Sequence, residues 1–341
     1  MTPPASGSIR TPIKPMLAKL ETEIPTGSDW RYEPKWDGFR CLITVRAKGV
    51  SIASRDDRPL ERFFPELAEA VAEELPPGIY DGEILSAAGG KSEFDRLQLR
   101  LHPAESRIRM LAESAPACFV GFDLLEFERR KLLKEPFRTR FELLASAIAQ
   151  VAEPCELPSR ATCLRTPQTD DPATAQEWFE EFEECGVDGI IAKRADDPYR
   201  PGIRAMVKVK HRRTADCVVG GFRSGKEEVR SLLLGLFDTE GVLHYVGHCS
   251  NFNAKERRRL FEELSEHEST AGSFEGGRSP GGPSRWSGGK DLSWVSLRPE
   301  LVCEVAYDKF ENGRFRHVAT LLRWRPDRRA ETCSIDQVLP R

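Results

Sequence analysis

Hydrophobic and polar residues alternate over the first two hundred residues in short runs that are typical of β-strands. Two strands are predicted on either side of residue 35, over Trp30–Tyr32 and Phe39–Val45, because aromatic and β-branched residues dominate both runs. Further strands are predicted where apolar runs are bounded by turn residues, at Val50–Ser54, Gly78–Leu85, Ala117–Phe127, Val187–Lys193 and Met206–Lys210. This part of the chain is therefore expected to be built on β-sheet.

Helices are predicted between these strands, where apolar residues recur at a spacing of three or four. In the first helix, Phe64, Leu67 and Val71 share one face, and the prolines at 76 and 77 end it. The predicted helices are Glu61–Leu75, Ser92–Leu101, Arg138–Ala149 and Pro172–Cys185.

After residue 212 the pattern changes to short strands with a single helix, Ala254–His267. The predicted strands are Ala215–Phe222, Leu232–Phe237, Leu243–Val246, Leu301–Tyr307 and Val318–Trp324. Five strands with one helix suit a small Greek-key barrel of the OB type, a fold that binds oligonucleotides. The Gly/Ser/Pro segment at Ala271–Gly289 is expected to be flexible. We therefore expect two domains, residues 1–212 and residues 213–341.

Charge and hydropathy change this picture little. The formal charge is 51 − 54 = −3, so a nucleic-acid surface would have to be a local patch. No apolar run approaches the length of a membrane-spanning helix, and the N-terminus lacks the pattern of a signal peptide. We expect a cytoplasmic, nucleoid-associated protein that does not contact a membrane.

Two sequence features, the cysteines and a Walker A-like segment, could indicate other kinds of site, but neither matches such a site in detail. The nine cysteines are scattered singly, which supports neither a zinc site nor a disulfide framework, so most should be buried. The segment 220–226 is similar to a Walker A loop, but Glu227 replaces the required Ser or Thr, and a strand follows. We interpret this segment as a hairpin loop.

The candidate chemistry centres on Lys35-Trp36-Asp37-Gly38, where the lysine is expected in a turn and Gly38 to supply backbone freedom. A Lys-x-Asp-Gly tetrapeptide arises by chance in roughly one chain in ten of this length. More specific is the order of the segments that follow: Ser54-Arg55, Asp81-Gly82-Glu83, Phe122-Asp123-Leu124-Leu125, Asp188-Gly189-Ile190-Ile191-Ala192-Lys193 and Lys208-Val209-Lys210.

In that order and spacing, the segments resemble the motifs of the covalent nucleotidyltransferases, which comprise ATP-dependent DNA ligases, RNA ligases and mRNA capping enzymes. The resemblance implies an α+β fold, with a mixed or antiparallel-sheet nucleotidyltransferase (adenylation) domain followed by an OB-fold barrel. It is nearest to the minimal two-domain bacterial ATP-dependent DNA ligases, including the ligase module of end-joining enzymes. An RNA ligase or a guanylyltransferase is the alternative, and a non-catalytic nick-binding scaffold comes third.

The resemblance also implies a role for each matching residue. Lys35 would attack the α-phosphate of ATP and carry AMP, and Arg55 would hold the 5′-phosphate of a nick. Glu83 would hold the ribose and, with Asp188, a Mg²⁺ or Mn²⁺ ion, and Phe122 would stack on adenine. The remaining residues implied to bind ATP are Glu33, Arg40, Lys208, Lys210, Arg325 and Arg328.

Two of these positions depart from the family pattern. Asp188 stands where ligases usually have glutamate, and Arg328 stands where lysine is common. An ordinary lysine has a pKa near ~10.4, so Lys35 must be activated. We expect the nearby cations Arg40, Lys208 and Lys210, with a metal ion, to disfavour its ammonium form.

From the residues alone, ordinary structural explanations stay open for several of these side chains. Arg55 could be a solvated loop arginine, Phe122 a core residue, and residues 323–329 a solvated basic strip. The resemblance implies nicked duplex DNA as the partner, with end-joining or repair proteins as further candidates. Nothing in the sequence suggests an obligate dimer, so we expect a monomer.

Overall fold

The computed structural model describes residues 13–88, 91, 92, 94–152, 155, 157–275, 279, 280 and 292–339. The chain divides into two compact units, Met1–Lys210 and His211–Arg341, and each is described by itself. This division lies two residues before the domain boundary expected from the sequence.

The first unit contains mostly strands, with helices between them. Its strands are β1 (Leu17–Glu21), β2 (Trp30–Trp36), β3 (Phe39–Arg46), β4 (Gly49–Ser54), β5 (Gly78–Ala88), β6 (Lys91–Ser92), β7 (Ala117–Phe127), β8 (Arg130–Lys131), β9 (Cys163–Arg165), β10 (Val187–Arg194) and β11 (Arg204–Val209). Its α-helices are α1 (Pro65–Glu74), α2 (Phe94–Arg100), α3 (Glu105–Ser114), α4 (Phe137–Ala147) and α5 (Pro172–Glu181).

These strands form two sheets. The larger sheet has the order β4-β3-β5-β7-β8, with β6 beside β5 and β9 beside β7, and the smaller sheet has the order β1-β11-β10-β2. Most pairs are antiparallel, and β1 with β11 and β7 with β9 are parallel. The sheets are therefore mixed but mainly antiparallel, as the resemblance implies.

Side-chain alternation on β3 shows how the layers stack. Cys41 and Ile43 lie in the core that the larger sheet shares with α1 and α4, whereas Leu42 packs with Met206 of β11. Because neighbouring residues of a strand face opposite ways, β3 faces helices on one side and the smaller sheet on the other. Helix α5 covers the far face of the smaller sheet through Ala175, which packs with Tyr32 and Ile190.

Several predicted boundaries are wrong in detail. The predicted helix Glu61–Leu75 is a short 3₁₀ turn, Glu61–Phe63, followed by α1, because Phe64 leaves the helical conformation just before Pro65. The predicted helix Pro172–Cys185 likewise ends as a 3₁₀ turn, Phe182–Cys185, and residue 186 has a left-handed backbone. The elements β1, α3 and β9 were not predicted.

The second unit is a small barrel. Its strands are β12 (Arg213–Gly225), β13 (Glu228–Phe237), β14 (Leu243–Cys249), β15 (Val295–Ser296), β16 (Val302–Tyr307), β17 (Phe310–Glu311), β18 (Arg314–Phe315) and β19 (Thr320–Trp324). The main sheet has the order β14-β13-β12-β16-β19, and a parallel bridge between Cys249 and Ala319 joins its two ends. This order, with helix α6 (Ala254–Ser265) after the third long strand, is that of an OB barrel.

Helix α6 begins at a capping box. The Asn253 side chain accepts bonds from the backbone of the first turn, and Glu256 bonds back to the Asn253 backbone. The apolar side of the helix buries Leu260 and Leu264 in the barrel core. The interpretation of residues 220–226 as a hairpin loop is only partly right, because residues 220–225 belong to β12 and the turn to β13 consists of Lys226 and Glu227, both at positive φ.

The cysteine prediction is partly wrong. A disulfide joins Cys155 and Cys185, which are close in space although they lie 30 residues apart in sequence. The seven other cysteines are buried, and the described residues contain no cluster of metal-ligating side chains of three or more. Residues 276–278 and 281–289 of the predicted flexible segment lie outside the described residues. None of the described helices combines the length and the hydropathy needed to span a membrane.

Candidate active site

The prediction that Lys35 lies in a turn is wrong, because Lys35 lies near the end of a strand. It is the second-last residue of β2, next to Trp36, whose Nε1 donates to Thr166 Oγ1 at 3.0 Å. The turn itself consists of Asp37 and Gly38, and the Asp37 N–H donates to the Gly186 carbonyl at 3.2 Å. The lysine is therefore held on a sheet edge by neighbours that are themselves fixed.

Gly38 is required because the backbone of Ile84 lies too close to leave room for a side chain, and not because the turn needs unusual backbone angles. A Cβ at this position would lie 2.1 Å from the Ile84 carbonyl oxygen. No real Cβ contact is that short, so any side chain at residue 38 would push β3 and β5 apart.

Asp188 stands between two lysines. Its Oδ2 lies 2.8 Å from Lys35 Nζ and 2.6 Å from Lys210 Nζ. Burial alone would raise the pKa of Asp188, but the two ammonium groups outweigh it and lower this pKa below its ordinary value. The carboxylate therefore stays charged and neutralises part of the lysine cluster.

In this structure the pKa of Lys35 is shifted in the direction opposite to the one expected from nearby cations with a metal ion. Burial does lower the pKa of Lys35, but the charges of Asp188, Asp37 and Glu83 outweigh it, and the pKa lies above its ordinary value. The lysine whose pKa is lowered is Lys208, through burial and the charges of Lys210, Lys35 and Arg204. The alternation on β11 places both lysines near Lys35, but Asp188 pairs with Lys35 directly.

Glu83 lies on β5, opposite the turn that follows Lys35. Its Oε1 accepts the Gly38 N–H at 3.2 Å. Burial raises the pKa of Glu83 to about 7, against the opposing charges of Lys35 and Arg40. At neutral pH this carboxyl group therefore exists in both protonation states, so it can donate or accept a hydrogen bond.

Arg40 is held by a carboxylate that the motif analysis did not assign to the site. Its Nε and Nη2 donate to the two oxygens of Asp81 at 3.0 and 2.8 Å, which is a bidentate pair. The Tyr199 hydroxyl also donates to Asp81, at 2.7 Å, and accepts the Met16 N–H at 2.8 Å. Asp81 belongs to the motif segment Asp81-Gly82-Glu83, but no sequence signal pointed to Tyr199.

Phe122 is half-buried, and cations surround its ring. The ring centroid lies 5.3 Å from the Arg40 guanidinium and 4.8 Å from Lys193 Nζ. Lys193 also donates to the Phe122 carbonyl at 2.8 Å and pairs with Glu33 at 2.7 Å, and both partners of this ion pair are buried. Burial raises the pKa of Glu33 even though Lys193 opposes this shift. Lys193 was not assigned to the site from the sequence, and it ties β2, β7 and β10 together.

Arg55 lies outside the Lys35 cluster, at the end of β4. Its side chain is 64% exposed, and its Nε lies 3.7 Å from Asp56. It borders a cavity of about 600 Å³, whose wall includes Lys14, Leu42 and Thr44. Leu42 and Thr44 share a face of β3 with Arg40, so this cavity opens on the same face of the larger sheet.

Arg325 and Arg328 lie in the second unit, where they share Asp216. Arg325 Nη1 donates to Asp216 Oδ1 at 2.9 Å, and Arg328 Nε donates to Asp216 Oδ2 at 3.1 Å. Asp327 forms a bidentate pair with Arg325, at 2.9 and 2.8 Å. No sequence signal pointed to Asp216, which is 109 residues from Arg325.

The chain matches family models and curated proteins over most of its length. Residues 15–210 match the "ATP dependent DNA ligase domain" and residues 225–328 match the "ATP dependent DNA ligase C terminal region". The chain is 45% identical to DNA ligase C1 of Mycolicibacterium smegmatis, over 97% of this chain and 94% of that protein. It is 46% identical to DNA ligase C of Mycobacterium tuberculosis, with 97% and 94% covered.

A solved structure supports the fold. A Lig E DNA ligase structure aligns with a TM-score of 0.55 at 18% identity, and the alignment covers 91% of this chain and 99% of that one. Together with the family models, this likeness confirms the predicted α+β fold class. The names of the relatives favour a DNA ligase over an RNA ligase or a capping enzyme. The chain belongs to the ATP-dependent DNA ligase family and is an enzyme that uses ATP.

Proposed function

We propose that this DNA ligase seals nicks in duplex DNA through an AMP bound covalently to Lys35. The supporting observation is the cluster in which Lys35 and Lys210 share the Asp188 carboxylate, with Glu83 close enough to influence the charge of Lys35. Such a cluster combines a nucleophile with cations for a polyphosphate, and phosphoryl-type transfer depends mainly on positioning and charge neutralisation.

In the first step, the Lys35 amine attacks the α-phosphorus of ATP. A nitrogen–phosphorus bond forms, the bond to the bridging oxygen of the β-phosphate breaks, and pyrophosphate leaves. Lys35 must lose its proton first, and its raised pKa means that the resting enzyme holds the lysine as ammonium. Asp188 must therefore be drawn away from the lysine, or accept its proton, before the attack.

In the second step, an oxygen of the nick 5′-phosphate attacks the bound AMP, and the nitrogen–phosphorus bond breaks. Lys35 recovers a proton and its pairing with Asp188. In the third step, the 3′-hydroxyl attacks the 5′-phosphorus, a phosphodiester forms and AMP leaves. Arg55 suits the 5′-phosphate because it is exposed at a cavity edge and its guanidinium can bind phosphate in a bidentate manner.

The carboxylates present fit a divalent cation. Mg²⁺ is held by one or two carboxylates together with substrate phosphates, and Asp188 and Glu83 both lie close enough to Lys35 to affect its pKa. When bound there, Mg²⁺ or Mn²⁺ would neutralise phosphate charge. A bound cation would also weaken the attraction of the Asp188 carboxylate for the Lys35 ammonium. Asp188 is shorter than the glutamate usual in ligases, and its Oδ2 already accepts from Lys35 and Lys210.

The other proposed site residues of each unit have matching roles. Phe122 stacks on adenine, with Glu33 at the base edge, and Glu83 bonds the ribose. Arg40, Lys208 and Lys210 bind phosphate or sugar. Arg325 and Arg328 act on the departing pyrophosphate. The first unit is the adenylation domain, and the OB barrel binds the duplex. Repair and end joining are the processes that need such an enzyme.

Incubation with radiolabelled ATP, GTP or NAD in the presence of Mg²⁺ tests the proposal. We expect label on the protein from ATP alone, one AMP on Lys35 by mass spectrometry, and sealing of a nicked DNA duplex. Covalent AMP on the Lys35→Ala variant would contradict the nucleophile assignment. Sealing of nicked RNA duplexes in preference to DNA would contradict the substrate assignment.

A further inference from the structure

Arg325 and Arg328, the two arginines of the C-terminal motif, form very different hydrogen bonds, although the same role on pyrophosphate is proposed for both. Arg325 is 16% exposed, and its guanidinium donates from Nε and Nη2 to Asp327 and from Nη1 to Asp216. Arg328 is 43% exposed, and within the described part of the chain its guanidinium makes one hydrogen bond, from Nε to Asp216. Arg325 is thus surrounded by carboxylates, whereas the outer edge of Arg328 faces solvent.

Carboxylates surround Arg325, which like any arginine is charged at ordinary pH. The bond to Asp327 and the charges of Asp216 and Glu304 raise its pKa above the ordinary arginine value. Three of the five N–H groups of Arg325 already donate to carboxylates, and its side chain is largely buried, so Arg325 offers fewer accessible donors to a phosphate than Arg328 does. For Arg328, the Nη1 and Nη2 groups can meet a phosphate while Nε keeps its bond to Asp216.

Asp216 is itself fixed on both sides. Its backbone N–H donates to Gln337 Oε1 at 2.9 Å, and the Gln337 amide donates back to its carbonyl at 3.0 Å. Asp216 pairs in register with Glu304 of the neighbouring strand β16. Its side chain is only 12% exposed, so the carboxylate has little freedom to move away from the two arginines.

We propose that Asp216 is a positioning residue that divides the work of this motif between its two arginines. Asp216 and Arg325 form a rigid base, and Arg328, oriented through its Nε, is the group that contacts the leaving pyrophosphate. This inference rests on the proposed function, which gives both arginines a role on pyrophosphate. It goes further in assigning the contact to one arginine and its orientation to a carboxylate outside the motif.

The reverse of the first step gives a readout that a purely structural residue would not change. Enzyme carrying AMP on Lys35 is mixed with increasing pyrophosphate, and the release of ATP is followed. In Asp216→Asn, the pyrophosphate concentration for half-maximal release should rise about tenfold, because one charge-assisted bond that orients Arg328 is weakened. Sealing of a pre-adenylylated nick should stay within about twofold of the wild type, since pyrophosphate is absent from that step.

Glu304→Gln is the matched control. Glu304 lies on the neighbouring strand, is similarly buried, and lies 3.9 Å from Arg325, and among the described residues it forms no ion pair with Arg328. It should leave the pyrophosphate dependence within about twofold of the wild type. Asp216→Glu, which keeps the charge, should fall between wild type and Asp216→Asn. The double variant Asp216→Asn/Arg328→Ala should be no worse than Arg328→Ala alone, because the two residues act in one chain of contacts.

The outcomes separate the two proposals. If Arg328→Ala leaves the pyrophosphate dependence unchanged, the proposed function of Arg328 is wrong. If Arg328→Ala impairs it and Asp216→Asn does not, only the positioning role of Asp216 is overturned. Equal losses of ATP release and nick sealing in Asp216→Asn would also overturn that role, because they would indicate general damage to the barrel.

Discussion

Lys35 and Asp188 meet across 153 residues of sequence, with the lysine Nζ 2.8 Å from the carboxylate Oδ2. This pair raises the pKa of Lys35 and so holds the proposed nucleophile in its protonated form. The same carboxylate pairs with Lys210 at 2.6 Å, so the negative charge of Asp188 is already divided between two ammonium groups. The resting site is therefore stabilised against reaction, and substrate binding must rearrange its charges.

Asp188→Asn should change the pH dependence of self-adenylylation. Asp188 helps to keep the Lys35 pKa above its ordinary value, so removing its charge lowers that pKa. The rate rises with pH as Lys35 loses its proton, and its half-maximal point should move to lower pH in the variant. Single-turnover AMP transfer measured across alkaline pH checks this. Asp170→Asn, at an exposed acid, is the control, and an unmoved half-maximal point in Asp188→Asn would contradict the pairing.

Glu83→Gln should be more stable than the wild type at alkaline pH but less active. Burial raises the Glu83 pKa from 4.5 to about 7, so its contribution to stability is present below pH 4.5 and is lost as pH rises through 7. Glutamine carries no charge at any of these pH values. The Tm difference between variant and wild type should therefore grow from about pH 5 to about pH 8. A constant difference would show that Glu83 does not titrate in this range.

Gly38→Ala should destabilise the first unit and abolish adenylylation. The added Cβ would lie 2.1 Å from the Ile84 carbonyl oxygen, so β3 and β5 must separate beside Lys35. We expect a loss of about 3 kcal/mol or more in the free energy of unfolding, as for severe overpacking. Gly272→Ala is the matched control, since nothing lies within 4 Å of its Cβ position. Denaturant unfolding of both variants, showing equal stability, would disprove the close approach.

Lys193→Met should cost about 3 kcal/mol of stability, because it leaves the buried Glu33 carboxylate without its cation. The double variant Glu33→Gln/Lys193→Met should cost less than the single one, since no buried charge remains. A double-mutant cycle by urea unfolding measures the coupling. Strictly additive losses would mean that the two side chains do not act as a pair.

Arg55→Ala should impair nick sealing and leave self-adenylylation unchanged. Because Arg55 lies outside the Lys35 cluster and borders a cavity, the variant should take up AMP from ATP at the wild-type rate. Sealing of a nicked duplex should fall about tenfold or more, as expected for loss of a charge-assisted phosphate contact. Gel assays of both steps check this, and an equal loss of self-adenylylation would place Arg55 in the ATP pocket instead.

Local sequence patterns predicted most of the fold. The alternation at residues 206–210 predicted a strand, which the structure shows as β11 (Arg204–Val209), and the spacing of short strands predicted the barrel. These properties are local, because strand periodicity depends only on neighbouring residues. Motif order then brought together the acidic and basic residues around Lys35.

What the sequence could not predict depends on contacts between distant segments. The sign of the Lys35 pKa shift follows from the carboxylates of Asp188, Asp37 and Glu83, whose distances from the lysine depend on the folded structure. Asp216 resembles any acid near the start of a strand, and only the return of the chain at residue 325 gives it two arginines. The disulfide between Cys155 and Cys185 has no motif because its partners lie 30 residues apart in sequence.

The sheet that carries Lys35 also fixes when the enzyme can become active during synthesis. Strand β1 pairs with β11, and β2 pairs with β10, so the smaller sheet joins the first strands of the unit to its last ones. Pairing of segments so far apart is slow and must wait for the later segment to leave the ribosome. Lys35 is translated early, but Asp188 and Lys210 reach it only when the whole unit has emerged. A nascent or truncated chain that ends before β11 therefore carries Lys35 without Lys208 and Lys210, and we expect it not to take up AMP from ATP.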